Sequence, residues 1–114
     1  MHKTKIAKEY ETLFIGGRTN VVVDDINYFE AVGNYTLVHL NSTKKIMVAT
    51  TLGKIENRSA GLGKFLRPHR SILVNACFVD NYDEAQIFLK NKMNIKIPRR
   101  RKEEVLRQLF ALVG

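Results

Sequence analysis

Three short polar groups hold the side chains that could do chemistry in this sequence. Asn34 and Tyr35 form the first, Arg67, His69 and Arg70 form the second around a proline, and Arg99, Arg100, Arg101 and Lys102 form the third. A guanidinium can donate two hydrogen bonds to guanine or to phosphate, an Asn amide matches adenine, and Tyr or His can contact sugar, phosphate or base. The chemistry indicated is recognition of a polyanion and of base edges.

The net charge supports the same chemistry. The chain carries 19 Lys and Arg against 11 Asp and Glu, a formal net charge of +8. Residues 90–107 hold eight of the basic side chains and only two of the acidic ones, so most of the excess lies near the C-terminus. A basic excess of this size favours a nucleic acid or another anionic surface as partner.

A solvated helix start is the plain alternative for the run of cations at residues 99–102, since charge runs usually lie on the surface. Four cations at a helix N-terminus would, however, oppose the positive end of the helix dipole, at about 0.3 to 1 kcal/mol per badly placed charge. A bound phosphate would relieve that repulsion, which favours a functional interpretation.

Catalysis and metal binding receive little support. The three histidines, His2, His39 and His69, lack a second ligand at metal-binding spacing, and no acid–base pair is evident. His39 is expected to be a surface or cross-strand residue. The glycines near residue 62 lack the Gly-Lys-Ser/Thr of a phosphate loop. We therefore expect no enzyme, no metal and no cofactor, with a hydrolase using Cys77 and His69 as a minor hypothesis.

Length and composition predict one domain over residues 1–114, with residues 1–10 as a flexible N-terminal extension. Cys77 is the only cysteine, and its apolar neighbours predict that it packs in the core of a protein in a reducing cytoplasm. No signal peptide is recognisable, and no apolar run approaches the roughly 20 residues that cross a bilayer. Export and membrane insertion are not expected.

Short alternating runs predict a mainly β fold. Residues 13–16 and 19–23 form an opening hairpin, residues 26–31 and 36–40 form a second around Gly33 and Asn34, and residues 44–49 add a strand. Residues 84–90 and 93–98 form a third hairpin around Asn91 and Lys92, with Ala85 and Met93 among the inward residues.

Helical signal occurs only twice. Thr50 or Thr51 can cap a short helix with Leu52, Ile55 and Leu62 on its inner side. A second helix starts near Arg100, and its inner face is predicted to hold Val105, Leu106, Leu109, Phe110 and Val113. Between the helices, Pro68 predicts a loop that enters a short buried strand. Ser71 and Asn75 are expected to satisfy the backbone of that loop.

Four segments, taken in order, resemble the LytTR family of bacterial DNA-binding domains. They are INYFEAVGNYTLVHL at 26–40, TLGKI at 51–55, FLRPHRSILVN at 65–75 and IKIPRRRKEEV at 95–105. The most specific is Phe-x-Arg-x-His-Arg-Ser-x-Leu-Val-Asn, which starts at Phe65 and is reproduced without a gap. The last segment departs from the family's Pro-x-Ser-Arg-Arg, because Arg99 to Lys102 follow Pro98 with no serine.

The resemblance implies an elongated antiparallel β fold of short sheets with one mid-chain helix and a C-terminal helix. It also implies a transcription regulator whose loops enter successive major grooves of double-stranded DNA at paired direct repeats, with self-association on DNA and a receiver or sensor partner as further possibilities. By position, the base-reading residues would be Asn34, Tyr35, Arg70, Arg100 and Arg101. The residues on the DNA backbone would be Arg67, His69, Arg99 and Lys102.

An RNA-binding or ribosome-associated basic β domain is the alternative function. Such modules display stacking aromatics on a sheet face, whereas Tyr28 and Phe29 are adjacent and must point to opposite faces. The remaining phenylalanines lie in apolar runs that predict core positions. Binding to an anionic membrane is a further alternative. Sequence alone leaves open the target site, the regulated genes, activation or repression, the upstream signal and which residue of 99–102 reads bases.

Overall fold

The computed structural model describes residues 10–114; the predicted flexible extension over residues 1–10 lies outside that part except for its last residue. The described residues form ten strands and two α-helices, and the strands pair in antiparallel fashion. The strands are β1 (Thr12–Gly16), β2 (Thr19–Val22), β3 (Ile26–Val32), β4 (Tyr35–Leu40), β5 (Lys45–Val48), β6 (Phe65–His69), β7 (Ile72–Asn75), β8 (Val79–Tyr82), β9 (Gln86–Leu89) and β10 (Asn94–Lys96). The helices are α1 (Leu52–Ser59) and α2 (Lys102–Leu112). The predicted mainly β class with two helices is confirmed.

A five-stranded sheet in the order β5-β4-β3-β7-β6 is the centre of the fold. Strands β1 and β2 form a separate hairpin, and β8, β9 and β10 form a three-stranded sheet. Because successive strand residues face opposite sides, Tyr28 and Phe29 of β3 enter two different cores, as predicted. Leu73 and Val74 of β7 divide in the same way.

Each face of the central sheet has its own apolar core. One core joins the sheet to the β1–β2 hairpin and α1 through residues such as Ile15, Phe29 and Ile55. The other joins it to the three-stranded sheet and α2 through Val74, Ile87 and Leu109. Both cores share one sheet, so the loops at the ends of that sheet are held from two sides.

The predicted hairpins are present with small changes in their ends. Ile87, Leu89 and Ile95 are buried as expected, whereas Ala85 is exposed and Met93 only partly buried. Thr51 is the N-cap of α1, and its side chain accepts from the Lys54 amide at 3.4 Å.

The segment around Pro68 was predicted to be a loop, and the structure shows a strand instead. Pro68 lies inside β6, which is an edge strand, and the pairing with β7 is irregular between Leu66 and His69. Proline is tolerated where a strand needs no ladder donor, as at an edge or a bulge. The sequence pattern could not show that β6 is an edge, because edges are set by strand order.

Two burial predictions were also wrong. Cys77 is exposed, because it belongs to a short 3-10 turn (Ala76–Phe78) that directs its side chain outward between the buried Ala76 and the partly buried Phe78. Phe110 is 75% exposed, whereas Val105 and Leu109 of the same helix are fully buried. The buried face of α2 therefore includes fewer residues than the pattern of apolar residues predicted.

Candidate nucleic-acid interface

Two of the three predicted loops lie at the same end of the central sheet. The β3–β4 turn contains Gly33, whose φ is +62°, and Asn34. The β6–β7 turn is beside it, because β3 pairs with β7 and the Ala31 amide donates to the Ser71 carbonyl at 2.8 Å. Asn34 and Tyr35 are exposed in the first turn, and Arg70 is exposed in the second.

The third loop is bonded to the second. It consists of a 3-10 turn (Arg99–Arg101) followed directly by α2. The Arg101 guanidinium donates through Nη1 to the main-chain carbonyl of Arg67 on β6. All three predicted loops are thus on one side of the molecule, connected through β3, β7 and β6.

His69 has a defined hydrogen-bonding role in the second loop. Its Nδ1 accepts from the Ser71 amide at 3.1 Å. In the neutral ring the proton is then on Nε2, so that this atom can donate to an external acceptor. His69 also lines an open cleft between the second and third loops together with Lys96, Arg99 and Lys102.

Lys96 also lines this cleft, although it was not among the predicted DNA contacts. It lies on β10 between the buried Ile95 and Ile97, so the alternation of the strand turns it outward. That alternation was visible in the sequence. Its closeness to His69 was not, because β10 and β6 belong to different sheets.

Arg67 was predicted to contact DNA, but its guanidinium group is hydrogen-bonded within the protein. Its Nη1 donates to Glu56 Oε1 on α1 at 2.8 Å, and its Nη2 donates to the carbonyl of Arg70. Arg101 likewise lies 3.6 Å from Glu104 Oε1 through Nη2, in addition to its bond to the Arg67 carbonyl. By contrast, Arg70, Arg99 and Arg100 are exposed.

The N-terminus of the last helix already has acidic side chains beside it. Helix α2 begins at Lys102, and its first turn contains Glu103 and Glu104, whose carboxylates favour the positive helix end. Lys102 is also paired, with Glu84 Oε1 at 3.0 Å. A bound phosphate is therefore not needed to balance this helix terminus.

The residues offered for catalysis are not brought together. Along the β6–β7 ladder, His69 pairs with Ile72 at one end, whereas Asn75 pairs with Phe65 at the other, and Cys77 lies beyond Asn75. Along β7 the two ends are three residue steps apart, about 10 Å at the usual strand rise. Among the residues the structure describes, no group of three or more His, Cys, Asp or Glu side chains could hold a metal ion.

His39 and Asn75 have the structural roles expected of them. His39 Nε2 is 2.9 Å from Glu30 Oε1 on the neighbouring strand, and its ring stacks on Tyr28 with centroids 4.1 Å apart. The buried side chain of Asn75 donates to the Ile26 carbonyl at 2.9 Å and accepts from the Cys77 amide at 3.0 Å. The His39–Glu30 contact joins β3 to β4, and Asn75 stabilises the end of β7 that lies opposite the β6–β7 turn.

The aromatic residues do not form a row on one sheet face. Tyr28 and Phe29 are buried, and burial, with a smaller contribution from Glu30, raises the pKa of the Tyr28 hydroxyl. Among residues 10–114 the exposed aromatics are on separate segments: Tyr10 before β1, Phe14 on β1, Tyr35 on β4 and Phe110 on α2. Arg58 covers the Phe14 ring, at 4.9 Å from its centroid. This arrangement does not favour the base-stacking platform of sheet-based RNA-binding modules.

The sequence and the fold were compared with those of known proteins. The family model of the LytTr DNA-binding domain matches residues 17–110. Among solved structures, the chain is similar to a LytTr DNA-binding domain of a Bacillus cereus protein described as a methyl-accepting/DNA response regulator, with a TM-score of 0.61 and 18% identity. The match covers 89% of this chain and 95% of that one. No curated protein matches the sequence. Within residues 10–114, none of the helices is long and apolar enough to cross a membrane.

Proposed function

Because the chain belongs to the LytTR family of DNA-binding domains, a family of DNA-binding modules and not of enzymes, we propose that it recognises a particular double-stranded DNA sequence as part of a transcriptional regulator. The proposal rests above all on the position of the three loops. Two of the loops lie at one end of a sheet packed on both faces, and the third is bonded to β6 at the edge of that sheet. A rigid support of this kind suits a site that must match the spacing of DNA grooves.

The exposed side chains divide into base-reading and backbone groups. We assign base reading to Asn34 and Tyr35 in the first loop, Arg70 in the second and Arg100 in the third, because each is exposed at a loop and can reach base edges. Contacts to phosphate are assigned to the cleft between the second and third loops, where His69, Lys96, Arg99 and Lys102 meet. Lys102 is paired there with Glu84, but both side chains are exposed, and an exposed ion pair contributes little and can be exchanged for phosphate.

Arg67 and Arg101 were predicted as a backbone contact and a base reader. To contact DNA, their guanidinium groups would first have to leave Glu56, the Arg70 carbonyl, the Arg67 carbonyl and Glu104. Breaking a hydrogen bond to a charged group costs about 1.5 to 3 kcal/mol. We therefore do not include these two residues among the DNA contacts.

The finer features of binding are part of the same proposal. Loops at one end of the sheet can enter successive major grooves, and paired direct repeats would let two molecules bind side by side and associate on DNA. A receiver or sensor partner would supply the signal in the cytoplasm. These features follow from the family resemblance.

Selection of duplexes from a random DNA pool tests this function. The selected duplex is then compared with a scrambled duplex and with RNA of matching sequence at two salt concentrations. Enrichment of one motif, bound about 10³-fold or more above scrambled DNA, is the expected result. Absence of enrichment, or tighter binding to the RNA, would overturn the proposal and favour the RNA-binding alternative.

A further inference from the structure

Arg67 is bonded to two different elements beside the interface. Its Nη1 holds Glu56 on α1 at 2.8 Å, and its Nη2 donates to the Arg70 carbonyl in the turn that carries an exposed arginine. The Nε of the same group is buried and has no hydrogen-bond partner among residues 10–114. The charged end of Arg67 is therefore directed into the protein, and its side chain is 24% exposed.

Arg101 connects the third loop to the same strand. Its Nη1 donates to the Arg67 carbonyl, at the point where the bulge between Leu66 and His69 interrupts the β6–β7 ladder. Its Nη2 lies 3.6 Å from Glu104, one helical turn along α2. Edge strand β6 is thus tied to α1 on one side and to the start of α2 on the other.

The hydrogen bonds of Arg67 and Arg101 reduce the entropy that the loops lose on binding. A turn with an exposed arginine loses conformational entropy when DNA fixes it, and this loss is smaller when the backbone is already held. Arg67 holds the backbone of Arg70, and Arg101 holds the turn that carries Arg99 and Arg100. Together these contacts join two loops that belong to different sheets.

We propose that Arg67 and Arg101 are positioning residues, which hold the second and third loops in one fixed arrangement and do not themselves contact DNA. This inference rests on the proposed function for its DNA readout. It leaves Arg99 and Arg100 as the free guanidinium groups of the third loop and makes Arg100 the base reader there. Glu56, on a helix with no predicted contact, becomes necessary for DNA recognition.

Glu56→Gln distinguishes a positioning role of Arg67 from a phosphate contact, because the two roles predict opposite changes in DNA affinity. If Arg67 were a phosphate contact, removal of the neighbouring carboxylate would free its charge, and binding to DNA would stay the same or tighten. If Arg67 positions the loop through Glu56, loss of the charged hydrogen bond weakens binding to the selected duplex by about tenfold or more. Glu103→Gln, which also removes one exposed carboxylate near the interface, is the matched control.

Arg67→Lys and Arg101→Lys distinguish the same two roles, positioning and phosphate contact, by the different shapes of the ammonium and guanidinium groups. A lysine keeps the charge, and a phosphate contact accepts it as a point charge. Lysine, however, lacks the planar fork from which Arg67 donates through Nη1 to Glu56 and through Nη2 to the Arg70 carbonyl, and from which Arg101 reaches the Arg67 carbonyl and Glu104. Positioning therefore predicts that Arg67→Lys and Arg101→Lys bind the selected duplex about as poorly as Arg67→Met and Arg101→Met, and that the salt dependence of binding is unchanged in the two lysine variants.

The experiment measures dissociation constants for the wild type, Glu56→Gln, Glu103→Gln and the four arginine variants at several salt concentrations, with unfolding curves to confirm folding. Weaker specific binding by Glu56→Gln and both lysine variants, with Glu103→Gln equal to or tighter than wild type, is expected. Wild-type affinity for Glu56→Gln, or rescue by the lysine variants, would overturn the proposal.

A second readout needs no DNA. Amide hydrogen exchange at Arg70 and Ser71 should be faster in Arg67→Lys and in Glu56→Gln than in wild type, while exchange in β3 stays the same. Unchanged exchange at the turn in both variants would overturn the positioning role. If the wild type selects no duplex, the proposed function fails, and hydrogen exchange alone decides whether the two arginines hold the loops.

Discussion

The side-chain amide of Asn75 donates to the main-chain carbonyl of Ile26 at 2.9 Å, joining the end of β7 to the start of β3. The same amide group is 3.4 Å from the Val23 carbonyl, and the side-chain oxygen accepts from the Cys77 amide. Asn75 is 97% buried. One side chain therefore bonds backbone groups of a 3-10 turn (Val23–Asp25), of β3 and of the Ala76–Phe78 turn, and joins these three segments.

Asn75→Ala should destabilise the protein by about 1 to 3 kcal/mol, because it leaves buried backbone groups without partners. Asn75→Asp should be at least as harmful, since its carboxylate would face the Ile26 and Val23 carbonyls. Urea unfolding followed by circular dichroism measures both. Stability within 0.5 kcal/mol of wild type for Asn75→Ala, about the range of surface substitutions, would contradict the assigned role.

Gly16 and Gly17 should respond differently to alanine although they are neighbours. Gly16 has a φ of +109°, and a Cβ there would overlap Oγ1 of Thr50, whereas Gly17 has a φ of +58° and open space around the same position. Gly17→Ala should cost about 1 to 2 kcal/mol for its left-handed backbone. Gly16→Ala adds overpacking of about 1 to 3 kcal/mol to its backbone strain. Thermal and urea unfolding compare the two, and equal losses would show that Thr50 does not restrict this turn.

Leu109 and Phe110 provide a matched pair in α2. Leu109 is fully buried, and Leu109→Ala should destabilise by about 2 to 5 kcal/mol. Phe110→Ala should change stability by less than about 0.5 kcal/mol, because the ring is 75% exposed. Chemical unfolding measures both variants. A large loss for Phe110→Ala would mean that this side chain is covered in solution.

Asp83 should make stability depend on pH in the acid range. Its carboxylate accepts from the Ala85 amide at 2.7 Å and from the Gln86 amide at 2.9 Å, and these bonds lower the pKa of Asp83. A lowered folded-state pKa gives stability that is present above the unfolded value of about 4 and is lost as the pH falls through the folded value. Wild type should therefore exceed Asp83→Asn in stability at pH 6, and the difference should shrink towards pH 2. A difference that does not change with pH would argue against the role of the two amides.

Arg70 and Lys102 should affect DNA binding in different ways. Arg70→Ala should lose about 1 to 3 kcal/mol on the selected duplex and much less on scrambled DNA, as expected of a base contact. Lys102→Ala should weaken both duplexes alike and reduce the salt slope by about 1. Fluorescence anisotropy titrations at several salt concentrations compare them. Equal losses for Arg70→Ala on both duplexes would remove it from the base-reading group.

The sequence pattern predicted the structure correctly wherever a feature depends on residues that are close together in the chain. Alternation predicted that Tyr28 and Phe29 enter opposite faces, and turn residues predicted the hairpins around Gly33 and Asn91. The ungapped motif from Phe65 to Asn75 identified the family, and the match over residues 17–110 confirmed it. These features depend on backbone preference and on the period of side chains along a strand.

The features that the sequence did not predict depend on contacts between residues far apart in the chain. Strand order made β6 an edge that tolerates Pro68, and a 3-10 turn directed Cys77 outward although its neighbours are apolar. The bonds from Arg67 to Glu56 and from Arg101 to the Arg67 carbonyl join residues 11 and 34 positions apart. The sequence by itself determined that the chain has a mainly β fold with cationic loops. Which arginines are free and which are bonded inside the protein was decided only in the tertiary structure, because a guanidinium takes whatever acceptors the folded chain brings within reach.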